Sequence, residues 1–369
     1  MVACLVAGRE AAEQFPTLLR YLQLGLIDAS VETLRVVMQG ESLATLQTGT
    51  AVILQDRPLT WPLSRWSRQA FIAGVHRKLE VMQRGSPAVI HGVAPSSAEY
   101  AVKIADDTAS ELVLTVYSYS QTRDPAPMRW LQRASAVLTP SRRLRDAIPT
   151  SVISNKPVEV VPVGISVSPA PAAFRSPDRA PVIVYSGPLT EESSVDCLLR
   201  AAKQVISRVP NLLLFIIGKG HAEDQLRRMS ESLEINDAVT FTGKIDDWRS
   251  VLDAADIFCV PSAPPHWREE PLAALAAGVC VICAEGNLCD ELIDGRTALT
   301  FARDDDAALA QRITRLLADP AAARDLAAAG QAYLRTNNTP ARMVAEHLKV
   351  YKQLTNRHQV LAFPAARSS

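Results

Sequence analysis

Neither sign of charge is in excess in this chain: 39 Lys and Arg stand against 39 Asp and Glu across 369 residues, a formal net charge of zero. A dedicated nucleic-acid binder carries a basic surplus, so no nucleic-acid partner is expected. No run approaches about 18 uninterrupted apolar residues, and no membrane-spanning helix is expected either. The opening residues, Met1-Val-Ala-Cys-Leu-Val-Ala-Gly8, lack a basic n-region and read as a first buried strand, not a signal peptide. Cysteine is scarce: Cys4, Cys197, Cys259, Cys280, Cys283 and Cys289 are too scattered for a disulfide framework. Cys280-Val-Ile-Cys283 has a CxxC spacing, but residues three apart on a strand face opposite ways, so these thiols read as small buried hydrophobes. The expectation is a cytoplasmic protein with no metal and no cofactor.

Hydrophobic residues make up 48% of the chain, enough for two packed cores. Apolar strand candidates at Val2–Ala7, Leu34–Met38, Ala51–Gln55, Ala88–Ile90, Leu112–Val116, Ala136–Thr139 and Val158–Val161 alternate with helical patterns such as Phe15–Leu26. The rhythm restarts at Val182–Tyr185, Leu212–Ile217, Val239–Phe241, Ile257–Val260 and Val279–Cys283. The segments Val195–Arg208, Asp224–Ser232, Trp248–Ala254 and Pro271–Ala277 read as intervening helices, and Ala307–Ala329 as one surface helix. Short apolar strands separated by amphipathic helices predict parallel sheets covered on both faces.

Four prolines between Ser166 and Pro181 mark an exposed linker. The expected organisation is a Rossmann-like domain over 1–165, a linker over 166–181, a second Rossmann-like domain over 182–340, and a helix and tail over 341–369. The two domains would face a cleft at the carboxyl ends of their sheets. Arg57, Arg65, Arg68, Arg77, Lys78 and Arg84 are interleaved with Trp61, Trp66 and Phe71. That stretch reads either as a solvated helix face or as an interfacial patch touching anionic lipid, which would make the protein peripheral at a membrane's inner face.

The second half resembles the donor-binding domain of the group 1, or family 4, glycosyltransferases. Val184-Tyr-Ser-Gly-Pro-Leu189 is similar to the family's "YxGRL", and Leu213-Leu-Phe-Ile-Ile-Gly-Lys-Gly220 to "LxIxGxG". Val239-Thr-Phe-Thr-Gly243 resembles "VxFxG", and Leu252-Asp-Ala-Ala-Asp-Ile-Phe-Cys-Val-Pro-Ser262 resembles "YxxADxFxxPS". Leu272-Ala-Ala-Leu-Ala-Ala-Gly278 and Glu291-Leu-Ile-Asp-Gly295 stand where the family has "LEAMAxG" and "ExIxDG". In the first half, Ala88-Val-Ile-His91, Leu112-Val-Leu-Thr-Val116 and Val160-Val-Pro-Val-Gly-Ile165 are similar to "DVIHxH", "xVxTVH" and "VxPNGxD". The resemblance implies the GT-B fold, an α/β class with two Rossmann-like domains facing a cleft, and sugar transfer from a nucleotide donor. It also implies retention of anomeric configuration and no obligatory metal; the acceptor is unknown, with a lipid-linked molecule or a polysaccharide as the expected classes.

Where the family neutralises the donor diphosphate with an Arg and a Lys, this chain has Pro188 and Ser193. Its two glutamates fall at Pro265 and Ala273, and a first-domain histidine falls at Tyr117. Glu269 and Glu270 lie four to five residues late; they read either as favourable charge at the start of a helix or as replacement catalytic carboxylates. The candidate catalytic residues are therefore Glu269, Glu270 and Tyr117. The candidate donor-binding residues are Gly187, Ser193, Lys219, Lys244, Ile245 and Ser262. Lys219, Lys244, Arg249 and Arg268 are the cations available as substitutes. Two functions are carried forward: a glycosyltransferase, and an inactive relative serving as a binding or scaffold subunit in polysaccharide or glycoconjugate assembly.

Overall fold

The computed structural model describes residues 1–7, 14–38, 51–55, 65–83, 88–153, 155–176, 178–245 and 247–362, with the backbone alone at 37–38, 51–55, 65–68, 83 and 357–362. Two compact units emerge: unit 1 comprises Met1–Gly164 with Thr339–Ser369, and unit 2 comprises Ile165–Asn338.

Unit 1 is built on a seven-stranded sheet in the order β3-β2-β1-β4-β5-β6-β7. Its strands are β1 Val2–Val6, β2 Glu32–Met38, β3 Ala51–Gln55, β4 Ala88–Gly92, β5 Glu111–Thr115, β6 Ala136–Thr139 and β7 Val158–Val160, and each pairs in parallel with its neighbours. The connections carry helices α1 Pro16–Asp28, α2 Arg65–Gln83, α3 Ala98–Thr108, α4 Tyr119–Arg123, α5 Pro125–Arg133, α6 Arg142–Ala147 and α7 Thr150–Ile153. Proline opens α1 and α5, where a missing N–H costs the helix nothing.

Unit 2 is built on a six-stranded sheet in the order β10-β9-β8-β11-β12-β13. Its strands are β8 Val182–Ser186, β9 Leu213–Ile217, β10 Val239–Gly243, β11 Ile257–Val260, β12 Cys280–Ala284 and β13 Leu299–Phe301, again all parallel. Helices α8 Val195–Ile206, α9 Glu223–Ser232, α10 Glu270–Ala277, α11 Asp306–Ala318 and α12 Pro320–Asn337 cover it, while Trp248–Ala254 is a 3-10 helix. The apolar stripe of α8 (Val195, Leu198, Leu199, Ala202 and Val205) is buried in the unit 2 core. All six cysteines are buried and free, and Cys280 donates its S–H to the Ala323 carbonyl at 3.1 Å. No group of metal-ligating residues and no helix long and apolar enough to cross a membrane occurs among the described residues.

Two expectations are corrected. The surface helix read as 307–329 is two helices, because Pro320 cannot continue the α11 ladder and Asp319 caps α12 by accepting from Ala322 N at 3.0 Å. The segment 166–181 is not an exposed hinge. Ala172 and Ala173 are buried and their N–H groups bond to the Gly278 carbonyl at 3.0 Å. Phe174 N and Val182 N both donate to the buried Asp256 carboxylate, at 2.7 and 2.8 Å. The prolines there spare donors that would otherwise need partners, and the small alanines fit where a linker was expected. The chain instead crosses between units at Gly164/Ile165 and again at Asn338/Thr339. The helix expected within 341–369 runs Pro340–Ala362 (α13) and belongs to unit 1.

Candidate functional site

The order of the unit 2 sheet reverses between β8 and β11: β9 and β10 extend one way from β8, while β12 and β13 extend the other way from β11. In open parallel sheets the loops leaving two such strands diverge and leave a crevice at their carboxyl ends, where ligands bind. The loop after β8 is Gly187-Pro188-Leu189, and it packs tightly. Gly187 N bonds to Ile217 O at 2.9 Å and Leu189 N to Lys219 O at 3.0 Å. A Cβ on Gly218, whose φ is +144°, would run into the Gly187 carbonyl, and one on Gly220 into the Leu189 carbonyl. This close approach is the reason for the glycines of the Gly218-Lys-Gly220 turn.

The loop after β11 returns over the same place. Arg268 Nη2 donates to Ser186 O at 2.7 Å and to Glu270 Oε1 at 2.7 Å, while Nε reaches Glu270 Oε2 at 3.3 Å. A Cβ at Gly187 would stand 2.5 and 2.6 Å from the two terminal nitrogens of Arg268 and 2.7 Å from the Tyr185 hydroxyl. Burial pushes the Glu270 carboxyl up, but the adjacent guanidinium and the backbone bonds outweigh it and hold it below the usual carboxylate range. Burial likewise opposes the Arg268 charge, and Glu270 more than reverses that, so the arginine stays charged. Tyr185, whose hydroxyl donates to Pro188 O at 2.8 Å, is pushed up by burial against the pull of Arg268. A second pair lies alongside: Arg249 Nη2 bonds the buried Glu269 at 2.6 Å and its guanidinium covers the Trp248 ring at 5.2 Å.

Glu269 and Glu270 are thus held by arginines. Glu269 occupies the N-cap position of α10 without a side-chain capping bond, so of the helix-start reading only Glu270, in the first turn, fits. Ser193 is buried and its hydroxyl is bonded to Thr190 O at 2.6 Å. Lys219 and Lys244 are exposed, and Ile245 is half-buried. A Cβ on Gly243 would lie 3.2 Å from Lys219 Cε, which places Lys219 by the β10 turn. Ser262 is buried just after β11. Pro265 is exposed and Ala273 buried, and neither position offers a carboxylate.

In unit 1 Tyr117 is a core residue, its ring stacked on Phe15 at 4.2 Å. His91 is buried between Thr115 Oγ1 and the Tyr351 hydroxyl, each at 2.7 Å from one ring nitrogen. Of the basic patch, Arg57, Trp61 and Arg84 lie outside the described residues, as do the side chains of Arg65, Trp66 and Arg68 on α2. The sequence reading missed Tyr185, and it left Arg268 as one of four unplaced cations. In the sequence Tyr185 stands only as the first letter of the "YxGRL"-like motif, which gives it no role of its own.

Residues 166–333 match the family model described as glycosyl transferases group 1. Among curated proteins, the chain is 26% identical over 325 residues to the GDP-mannose-dependent monoacylated alpha-(1-6)-phosphatidylinositol monomannoside mannosyltransferase of Corynebacterium glutamicum, across 79% of this chain and 84% of that protein. It is 29% identical over 215 residues to the glycogen synthase of Mycobacterium tuberculosis, across 56% of this chain and 52% of that protein. Among solved structures, Anabaena HepE in complex with UDP superposes with a TM-score of 0.76 at 16% identity, covering 96% of this chain and 100% of that one. The sucrose-phosphate synthase of Thermosynechococcus elongatus gives 0.76 at 19%, covering 97% and 100%. These likenesses assign the fold to the two-Rossmann-domain GT-B class.

Proposed function

We propose that the chain, whose residues 166–333 match the model of the group 1 glycosyl transferases, transfers a glycosyl group from a nucleoside-diphosphate sugar, bound by unit 2, to an acceptor hydroxyl. The observation that carries this reading is the glycine-tight turn after β8, packed against Gly218-Lys-Gly220 at the reversal point of the sheet. As the glycosidic bond to the diphosphate breaks, negative charge grows on the leaving phosphate, and groups fixed in that turn act more strongly on the transition state than on the ground state. Pro188 and Ser193 supply no cation. At about 1.5–3 kcal/mol for each missing charged hydrogen bond, roughly 3–6 kcal/mol is forfeited, or about a hundredfold to ten-thousandfold in turnover relative to a protein with both.

The printed name of the corynebacterial relative supports GDP-mannose as the first donor to try and a phosphatidylinositol-linked sugar as the first acceptor class. Purified protein incubated with UDP-, GDP- and ADP-sugars should release nucleoside diphosphate slowly from one of them, and Pro188→Arg should speed that release. Release at the buffer rate from every donor, before and after the substitution, sinks the transferase reading. The lipid side of the proposal is checked by co-sedimentation with anionic vesicles, which should weaken with salt; equal absence from anionic and neutral pellets argues for a soluble acceptor.

A second reading, the scaffold subunit, is favoured by the want of carboxylates at Pro265 and Ala273. It predicts saturable donor binding with no nucleotide release.

A further inference from the structure

Four cations border the turn region of unit 2, and the structure separates them. Lys219 and Lys244 are exposed, where water and salt screen their charge. Arg249 is committed to Glu269 and lies against the Trp248 ring. Arg268 alone of the four is both largely withdrawn from solvent, its side chain 11% exposed, and placed on the turn. It arrives there from the loop after β11 and is fastened to the end of β8 through Ser186 O, so it bridges the two strands between which the sheet order reverses.

The bonds to Ser186 O and Glu270 take Nε and Nη2, the guanidinium also bonds the Tyr185 side chain, and Nη1 lies 2.6 Å from where a Gly187 Cβ would stand. A guanidinium fork that fits a carboxylate in two-point contact also fits a phosphate, since both present paired oxygens in a plane. Because residue 187 has no Cβ, the backbone and not a side chain forms the surface beside that nitrogen.

We infer that Arg268 is the diphosphate-contacting residue of unit 2 and that Glu270 masks it, so that carboxylate and phosphate compete for one guanidinium. The inference rests on the nucleotide-sugar reading above and adds a regulator to it: the Arg268–Glu270 pair is electrically balanced, and an anion must displace the carboxylate to gain the full charge. A brace between β8 and α10 would use the same pair of residues, but it would respond in the opposite way when Glu270 loses its charge.

The experiment is calorimetry with UDP and GDP on the full chain, its Glu270→Gln variant and the Arg268→Gln, Glu270→Gln double variant, each first checked for a cooperative thermal transition. The double variant leaves no buried charge unpaired and so guards against misfolding. Masking predicts that Glu270→Gln tightens binding of one nucleotide by about tenfold to a hundredfold, the range of a charged hydrogen bond, and that the double variant binds more weakly than the unaltered chain. If the unaltered chain binds nucleotide and Glu270→Gln weakens or does not change it, the masking inference is overturned while the donor reading stands. If none of the three proteins binds either nucleotide, the masking inference is overturned, and the donor reading is decided by the release assay above.

Discussion

Gly218 combines two constraints that no other residue type satisfies: a φ of +144° and a Cβ position already occupied by the Gly187 carbonyl. Gly218→Ala is expected to lose at least the 1–3 kcal/mol typical of a strained backbone, read as a lower urea midpoint at unchanged slope. An unchanged midpoint would mean that the turn relaxes freely and does not hold the β8 loop. Single positions were the least legible part of the site. Gly187 and Gly218 could be picked from their motifs, because a glycine at a strand end has few other uses. Whether Glu269 and Glu270 were helix-start charge or reacting groups depended on arginines whose loop path no spacing encodes. The distance from Arg268 to Ser186 in the chain, 82 residues, shows why: only the sheet order brings them together.

At the scale of elements, α13 is held to unit 1 by close packing and by a buried polar cluster. A Cβ on Gly25 of α1 would run into Val344, so Gly25 is what lets the two helices approach. His91 and His347 stand 5.7 Å apart, with Tyr351 bonded to the first and the Met343 carbonyl to the second. Burial holds both imidazoles below their ordinary value, His347 at about 4 against 6.5, despite the opposing effect of the Met343 bond and Glu346. The unfolded chain therefore takes up protons more readily as pH falls. Stability is full above about pH 6.5 and declines toward pH 4, by on the order of 3 kcal/mol from His347. Thermal midpoints between pH 8 and 4.5 should fall in this way, and His347→Gln should flatten the curve; parallel curves for the two proteins would remove His347 from the account.

Asp256 plays the matching part in unit 2, receiving Val182 N, Phe174 N and Arg179. Replacing it with Ala orphans two backbone donors at about 1–3 kcal/mol each. Limited proteolysis should then cut within 166–181 faster than in the unaltered chain; equal rates would show that Asp256 does not pin the segment.

For the whole molecule, the alternation of apolar runs was enough to foresee two parallel sheets, because strands buried on both faces must be apolar throughout. What could not be read was where the chain passes between units. Proline-rich composition pointed to 166–181, yet the chain crosses at 164/165, and that segment lies on unit 2 instead. Composition reports which backbone can bend, not which surface is waiting for it. A chain ending at Asn338 would lack α13 and uncover the α1 face that Val344 meets at Gly25. It is expected to lose the thermal transition of unit 1 and keep that of unit 2; two transitions at their original temperatures would show that unit 1 is complete without it.

The bond from Ile165 N to Asn338 O, 2.8 Å long, ties the first residue of unit 2 to its last. In the sequence, unit 2 is therefore an insertion closed at its two ends and flanked by the two segments of unit 1, and on the ribosome this imposes an order. Domains generally fold as units while the chain emerges, so unit 2 can finish as soon as Asn338 is out. Unit 1, begun first, must wait through the synthesis of all 174 residues from Ile165 to Asn338 before α13 covers it. At about 5–20 residues per second that wait is roughly 10–35 seconds, during which its newly made apolar face is open to chaperones.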